Sequence, residues 1–247
     1  MKFFKKVGTC IAKFFHNIVY YTAYVFCKIF MRCKVIGKEN INKEDEARVF
    51  VANHMQLYGP VTMHLRCPVK KALWVHKSLM EKDEVEKQLG YGFVEEQFKW
   101  IPKFIKRGIV KILKHLVVYV LTRKVNGIAI DRHDTRALVT TFQQSLEKME
   151  KGDTIVIFPE VDYPDEGLGE IFPGFTSLAK YVHKKTGKIT SFYPVYINQK
   201  QKRMYIGEAI KFNPDNPNYS EEVVEYLITE INKMSQIKKT NKKQKKA

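Results

Sequence analysis

The chain has 247 residues, 45% of them hydrophobic and 28% charged, a balance that supports a folded core and excludes wholesale disorder and collagen-like repetition. That length suits one domain with appendages rather than two full domains. Charge is the anomaly: 43 Lys and Arg against 26 Asp and Glu give a formal net charge of +17, which calls for an anionic partner, either nucleic acid or a lipid surface.

The excess sits in three acid-free segments. Residues 1–34 carry Lys2, Lys5, Lys6, Lys13, Lys28, Arg32 and Lys34; residues 97–126 carry Lys99, Lys103, Lys106, Arg107, Lys111, Lys114, Arg123 and Lys124; the tail 238–247 is lysine-rich. The remainder is mildly acidic. At helical periodicity the first segment gathers Lys2, Lys5, Lys6, Lys13, His16, Asn17 and Lys28 on one side. Val7, Ile11, Phe14, Phe15, Ile18, Thr22, Val25, Phe26 and Ile29 fall on the other. The uncharged run from Phe14 to Cys27 is shorter than the ~20 apolar residues a spanning helix needs. A basic amphipathic helix lying in a membrane interface is therefore expected, with a helix that only covers the protein's own core as the alternative. A signal peptide fits less well, because charges recur and no small-x-small cleavage site follows.

Further along, a polar link at residues 37–46 leads to a short buried strand from Arg48 to Ala52, a loop from Asn53 to Gly59, and a helix starting near Pro60. Apolar runs at 72–76, 127–130, 154–158, 190–198 and 203–206 read as further strands. Helical patterns span 99–121, 134–151, 174–184 and 220–237. In the first of these Phe104, Ile105, Ile109, Ile112, Leu116 and Tyr119 share a face, Pro102 suits the first turn, and Gly108 weakens the middle. The alternation predicts an α/β fold, a mostly parallel sheet flanked by helices, with an amino-terminal amphipathic helical region. The expected organisation is an anchoring region at 1–34, an α/β domain at 35–237 with a basic amphipathic insertion at 97–126, and a disordered lysine-rich tail at 238–247.

The four cysteines, Cys10, Cys27, Cys33 and Cys67, lack paired close spacing, so neither a disulfide framework nor a metal site is expected. No nucleic-acid-binding module accompanies the basic segments, and no nucleic-acid partner is expected.

In α/β sheets, sites form in the loops beyond the carboxyl ends of strands. Three such loops carry chemistry here: Asn53 and His54; Asp131 and Arg132; and Pro159, Glu160, Asp162, Asp165 and Glu166. A histidine just after a buried strand suits a general base, with an arginine and carboxylates at neighbouring strand ends to bind an anion and orient it. There is no Gly-x-Ser-x-Gly elbow, no P-loop, no His-Glu-x-x-His and no complete dinucleotide fingerprint.

These residues, in this order, resemble the membrane-associated glycerolipid acyltransferases typified by 1-acylglycerol-3-phosphate acyltransferase. The family's Asn-His-x-Ser-x-x-Asp block resembles Asn53 to Gly59, followed by Pro60. Its second block resembles Gly127 to Arg132, and its Phe-Pro-Glu-Gly-Thr-Arg block is represented by Phe158-Pro159-Glu160. The later Phe-x-x-Gly and Val-Pro-Val segments resemble Phe172 to Gly174 and Tyr193-Pro194-Val195, while Lys77 matches a common family lysine. The resemblance spans roughly residues 35–212. It implies acyl transfer from acyl-CoA or acyl carrier protein to a hydroxyl of a lysophospholipid in phospholipid biosynthesis. His54 would be the base, Asn53, Lys77, Arg132 and Gly174 would belong to the substrate site, and no cofactor would be needed. It also implies a place at the cytoplasmic face of a membrane, on anionic lipid.

Two departures stand out. Where the family carries a carboxylate five residues after the histidine this chain has Gly59, and where it has serine this chain has Gln56. In place of Gly-Thr-Arg stand Val161-Asp162-Tyr163. An orienting carboxylate is worth about 10⁴ in serine proteases. Either Asp162 or Glu160 takes over as the partner of His54 from a neighbouring strand end, or the chain is a catalytically silent lipid-binding or scaffold protein on the same fold.

Overall fold

A computed structural model describes residues 2–88, 102–131, 134–161 and 167–237. In chain order the helices and strands are α1 (Lys2–Phe30), β1 (Lys34–Ile36), β2 (Ala47–Ala52), α2 (Tyr58–Arg66), β3 (Lys71–His76), α3 (Lys82–Gln88), α4 (Lys103–Arg123), β4 (Ile128–Ile130) and α5 (Thr135–Glu150). Then follow β5 (Thr154–Ile157), α6 (Ser177–Thr186), β6 (Thr190–Asn198), β7 (Arg203–Ile206), β8 (Ile210–Lys211) and α7 (Tyr219–Ser235). The sheet is mixed and mostly parallel, and helices flank it, as the alternation of patterns predicts. By its contacts the chain divides into two units, Met1–Phe30 with Ala72–Gln144, and Met31–Lys71 with Ser145–Ala247.

The second unit is built on β2. Val49, Phe50, Val51 and Ala52 are fully buried, the continuous apolar run that a strand covered on both faces requires. β2 pairs in parallel with β5 on one side and with β6 on the other. β6 turns back antiparallel into β7, β7 pairs in parallel with β1, and β8 pairs with the start of β6. Pro194 lies inside β6, where a proline would normally cost a ladder hydrogen bond. It is tolerated because its missing N–H faces the gap between the end of β7 at Ile206 and the start of β8 at Ile210. There its carbonyl accepts the Gly207 N–H at 2.9 Å.

At the opposite end of β2 from the loop that follows it, Asp45 is held by Tyr193 Oη at 2.6 Å and Lys211 Nζ at 3.3 Å. In α2, burial and the neighbouring charge of Lys71 push the His64 imidazole down from 6.5 to about 4. The folded protein therefore resists a proton that the unfolded chain accepts, so stability falls as pH drops from 6.5 towards 4. His64→Gln should flatten that part of the curve of stability against pH, measured by denaturant melts.

In the first unit β3 and β4 pair in parallel. The ring of Trp74 stacks on Phe142 of α5 at 6.0 Å, and Thr141 Oγ1 donates to the Ala129 carbonyl at 2.7 Å. The helix expected from 99 to 121 runs from Lys103 to Arg123 with Pro102 as its cap, and Gly108 does not interrupt it.

α1 packs on α4 through its polar and aromatic side. Tyr119 Oη donates to Asn17 Oδ1 at 2.9 Å, His16 lies over the Tyr119 ring, and Lys124 Nζ sits 5.2 Å from the Tyr20 ring and 4.6 Å from the Tyr21 ring. The greasy side is left outward: Phe14, Phe15, Ile18, Val19, Val25, Phe26, Ile29 and Phe30 are all exposed. That inverts the usual preference of a surface helix. Among the described residues no helix is long and apolar enough to cross a membrane.

Candidate functional site

β2 ends at Ala52, and the side chain of Asn53 continues its pairing. Asn53 Oδ1 accepts the Ile197 N–H at 2.7 Å and Nδ2 donates to the Ile197 carbonyl at 3.1 Å. Asn53 is 1% exposed, so its amide is committed to the main chain of β6 and fixes the strand end from which His54 departs.

The His54 main-chain N–H donates to Glu160 Oε2, and its ring meets the Phe158 ring edge-on at 5.2 Å. Glu160 is buried and follows β5, the parallel neighbour of β2. Two adjacent strand ends thus bring half-buried His54 and a buried carboxylate together, with the carboxylate on the main chain of His54.

The chain then turns sharply. Met55 and Gln56 take left-handed conformations with φ of 47° and 53°, rarely adopted by residues other than glycine and found mostly where a structure holds them for a purpose. The turn closes when the Gly59 N–H donates to the His54 carbonyl and the Tyr58 N–H to the Met55 carbonyl, both at 3.1 Å. A Cβ on residue 59 would lie 2.0 Å from the His54 carbonyl oxygen and 2.9 Å from that of Asn53. The missing carboxylate at this position is therefore part of a differently built turn, which has room only for glycine.

The Glu160 segment forms a small antiparallel ribbon with residues 170–172. Glu160 bridges to Ile171, the Val161 N–H donates to the Glu170 carbonyl, and the Phe172 N–H donates to the Pro159 carbonyl, each at 2.9 Å. Gly174 follows, and a Cβ there would meet the Phe172 ring at 2.5 Å, so the glycine makes room for that ring.

Asn53, His54, Glu160 and Gly174 thus lie in one unit, with Glu160 bonded to the main chain of His54 and Asn53 directly before it at the end of β2. Lys77 belongs to the other unit. It opens a short turn after β3, with Nζ 3.8 Å from Glu81 Oε1. Arg132 and Asp162 lie outside the described residues. Sequence reasoning missed two features, the Phe158 ring against His54 and the glycine-only turn. The first was signalled by an aromatic residue directly before Pro159-Glu160.

No family model and no curated protein matches this chain. Among solved structures it is similar to the crystal structure of the 1-acyl-sn-glycerophosphate (LPA) acyltransferase, PlsC, from Thermotoga maritima. The TM-score is 0.51 at 15% sequence identity, over 95% of this chain and 99% of that one. At that identity the likeness is one of architecture, and the chain has a glycerolipid acyltransferase-like α/β fold.

Proposed function

We propose that this chain is an O-acyltransferase that moves a fatty acyl group from acyl-CoA or acyl carrier protein to a hydroxyl of a lysophospholipid at a membrane surface. The observation that carries the reading is the union of His54 and Glu160 at the ends of β2 and β5. It is supported by the fold shared with an LPA acyltransferase.

In this reading the imidazole of His54 takes the proton of the acceptor hydroxyl as its oxygen attacks the thioester carbonyl. The C–S bond then breaks, and the thiol, with a pKa near ~8.5, leaves with the proton that His54 returns. The nearby Glu160 carboxylate favours the imidazolium that forms on the way. Lys77 and Arg132 are the proposed ligands of the acceptor's phosphate, and no cofactor takes part.

The outward apolar side of α1 supports a lipid surface as partner, because a helix that packs its polar side inward and shows its phenylalanines has the pattern of an interfacial anchor. The basic residues of segment 1–34 favour anionic lipid at a cytoplasmic membrane face. Replacing Phe15, Phe26 and Ile29 together by serine should abolish flotation with anionic vesicles without lowering the thermal midpoint. Salt-sensitive binding to RNA or DNA, with no flotation of the unaltered chain, would contradict this.

A second reading, a catalytically silent lipid-binding scaffold, is favoured by the glycine-only turn at residue 59. Incubating the purified protein with labelled acyl donors and a lysolipid panel separates the two, since only the enzyme yields ester that depends on His54.

A further inference from the structure

β5 ends at Ile157, so the arm that carries Glu160 to His54 is held beyond the sheet by its pairing with residues 170–172. A ribbon of two short arms is marginal by itself. Its second arm has to be fixed from elsewhere if the carboxylate is to stay where it is.

α7 fixes that arm at both ends. On the far side of the pairing, Tyr219 Oη donates to the Thr176 carbonyl at 3.2 Å, and the Thr176 and Ser220 hydroxyls share a hydrogen bond of 2.7 Å. On the near side, Asn232 Oδ1 accepts the Leu168 N–H at 3.0 Å. Ser220 and Asn232 stand about 18 Å apart along the helix axis, and Ile171, the partner of Glu160, belongs to the arm strung between them.

Asn232 is an unexpected residue for its place. Asparagine favours caps and turns over the body of a helix, yet this one lies in the last turn of α7 between the buried Ile231 and Met234. Its side chain bonds a main chain 64 residues away. Gly167 fits the same contact, because its φ is 81° and a Cβ there would run into Asn232 Oδ1. Leu168 is buried, so loss of the asparagine oxygen strands its N–H.

We propose that Asn232 is a positioning residue for the site: its oxygen holds the return arm of the ribbon, and through Ile171 that arm holds the Glu160 carboxylate at the main chain of His54. The consequence for turnover rests on the acyl-transfer reading, whereas the consequence for the hydrogen bond does not.

The test follows the main-chain amide of His54 by NMR in the full chain with isotope-labelled histidine, the signal being assigned by its absence in His54→Gln. A bond to a carboxylate is strong and draws the amide proton downfield, and Glu160→Ala gives the upfield reference. Asn232→Ala and Gly167→Ala should both move the resonance upfield, while Asn232→Asp, which keeps the oxygen, should restore it. The two variants break one contact from opposite sides, so the comparison survives if either fails to fold. Leu227→Ala opens a cavity elsewhere in the same helix; it should lower the thermal midpoint and leave the resonance in place. With a lysolipid and an acyl donor, Asn232→Ala should lower kcat about tenfold with KM little changed, and Asn232→Asp should recover it. An Asn232→Ala protein that keeps either its His54 resonance or its kcat would overturn the inference, as would a Leu227→Ala protein that shifts both as far. If the unaltered chain makes no ester and the resonance still moves as expected, the positioning role stands and the acyl-transfer reading falls.

Discussion

Gly59→Asp, which puts back the carboxylate that glycerolipid acyltransferases carry at this position, is expected to destabilise the protein by about 3 kcal/mol and to leave acyl transfer no faster. The reason is steric. The new Cβ would lie 2.0 Å from the His54 carbonyl oxygen and 2.8 Å from its carbon, and main-chain atoms have no rotamer by which to move aside. Relief requires opening the turn that the Gly59 N–H closes on His54, and that turn places the imidazole. Gly59→Ala should lose nearly as much, since it adds the same Cβ without the charge. Denaturant melts of the two variants check this; a Gly59→Asp protein as stable as the unaltered one and more active would show that the site is a degraded copy of the family's dyad rather than a rebuilt one.

Glu160→Ala is the second large effect. Glu160 is buried and its carboxylate accepts the His54 N–H, so its removal leaves a main-chain donor without that acceptor, at a cost of about 1–3 kcal/mol. In the acyl-transfer reading it also loosens the loop that aims the base, and displacements of that kind cost about 10² in rate. A fall in kcat with little change in KM is the expected split.

Glu160→Gln separates position from charge. Its amide oxygen still accepts the N–H, so most of the stability returns. Without the anion, protonated His54 is less favoured, and the acid limb of the profile of kcat/KM against pH should move to lower pH. A merely structural Glu160 would leave the profile where it is.

The strands β2, β5 and β6 were legible in the sequence because fully buried parallel strands are continuous apolar runs, and Val49 to Ala52, Ile155 to Ile157 and Phe192 to Ile197 are such runs. The short edge pieces β1 and β8 were not, since Lys34–Ile36 and Ile210–Lys211 have too few residues to show a period. His54 and Glu160 stood out as polar residues directly after buried strands. What the sequence could not show was how they meet. That Glu160 reaches the His54 main chain depends on the parallel register Val51 with Ile157, a contact between residues far apart in the chain. The commitment of Asn53 to Ile197 was equally hidden, since asparagine after a strand reads as a helix cap until its partner is known. Gly59 read as a loss, and only the distance from its missing Cβ to the His54 carbonyl makes it a requirement.

The central claim is that His54 acts as a base on an acceptor hydroxyl. The most direct measurement mixes the purified full-length protein with lysophosphatidate and labelled acyl-CoA or acyl carrier protein and follows labelled ester. The expected result is turnover by the unaltered chain that falls by about 10²–10⁴ in His54→Ala, whose fold and vesicle binding stay intact. Absence of ester from the unaltered protein across all donors and a panel of lysolipids would contradict the claim and leave a lipid-binding scaffold on an acyltransferase-like fold.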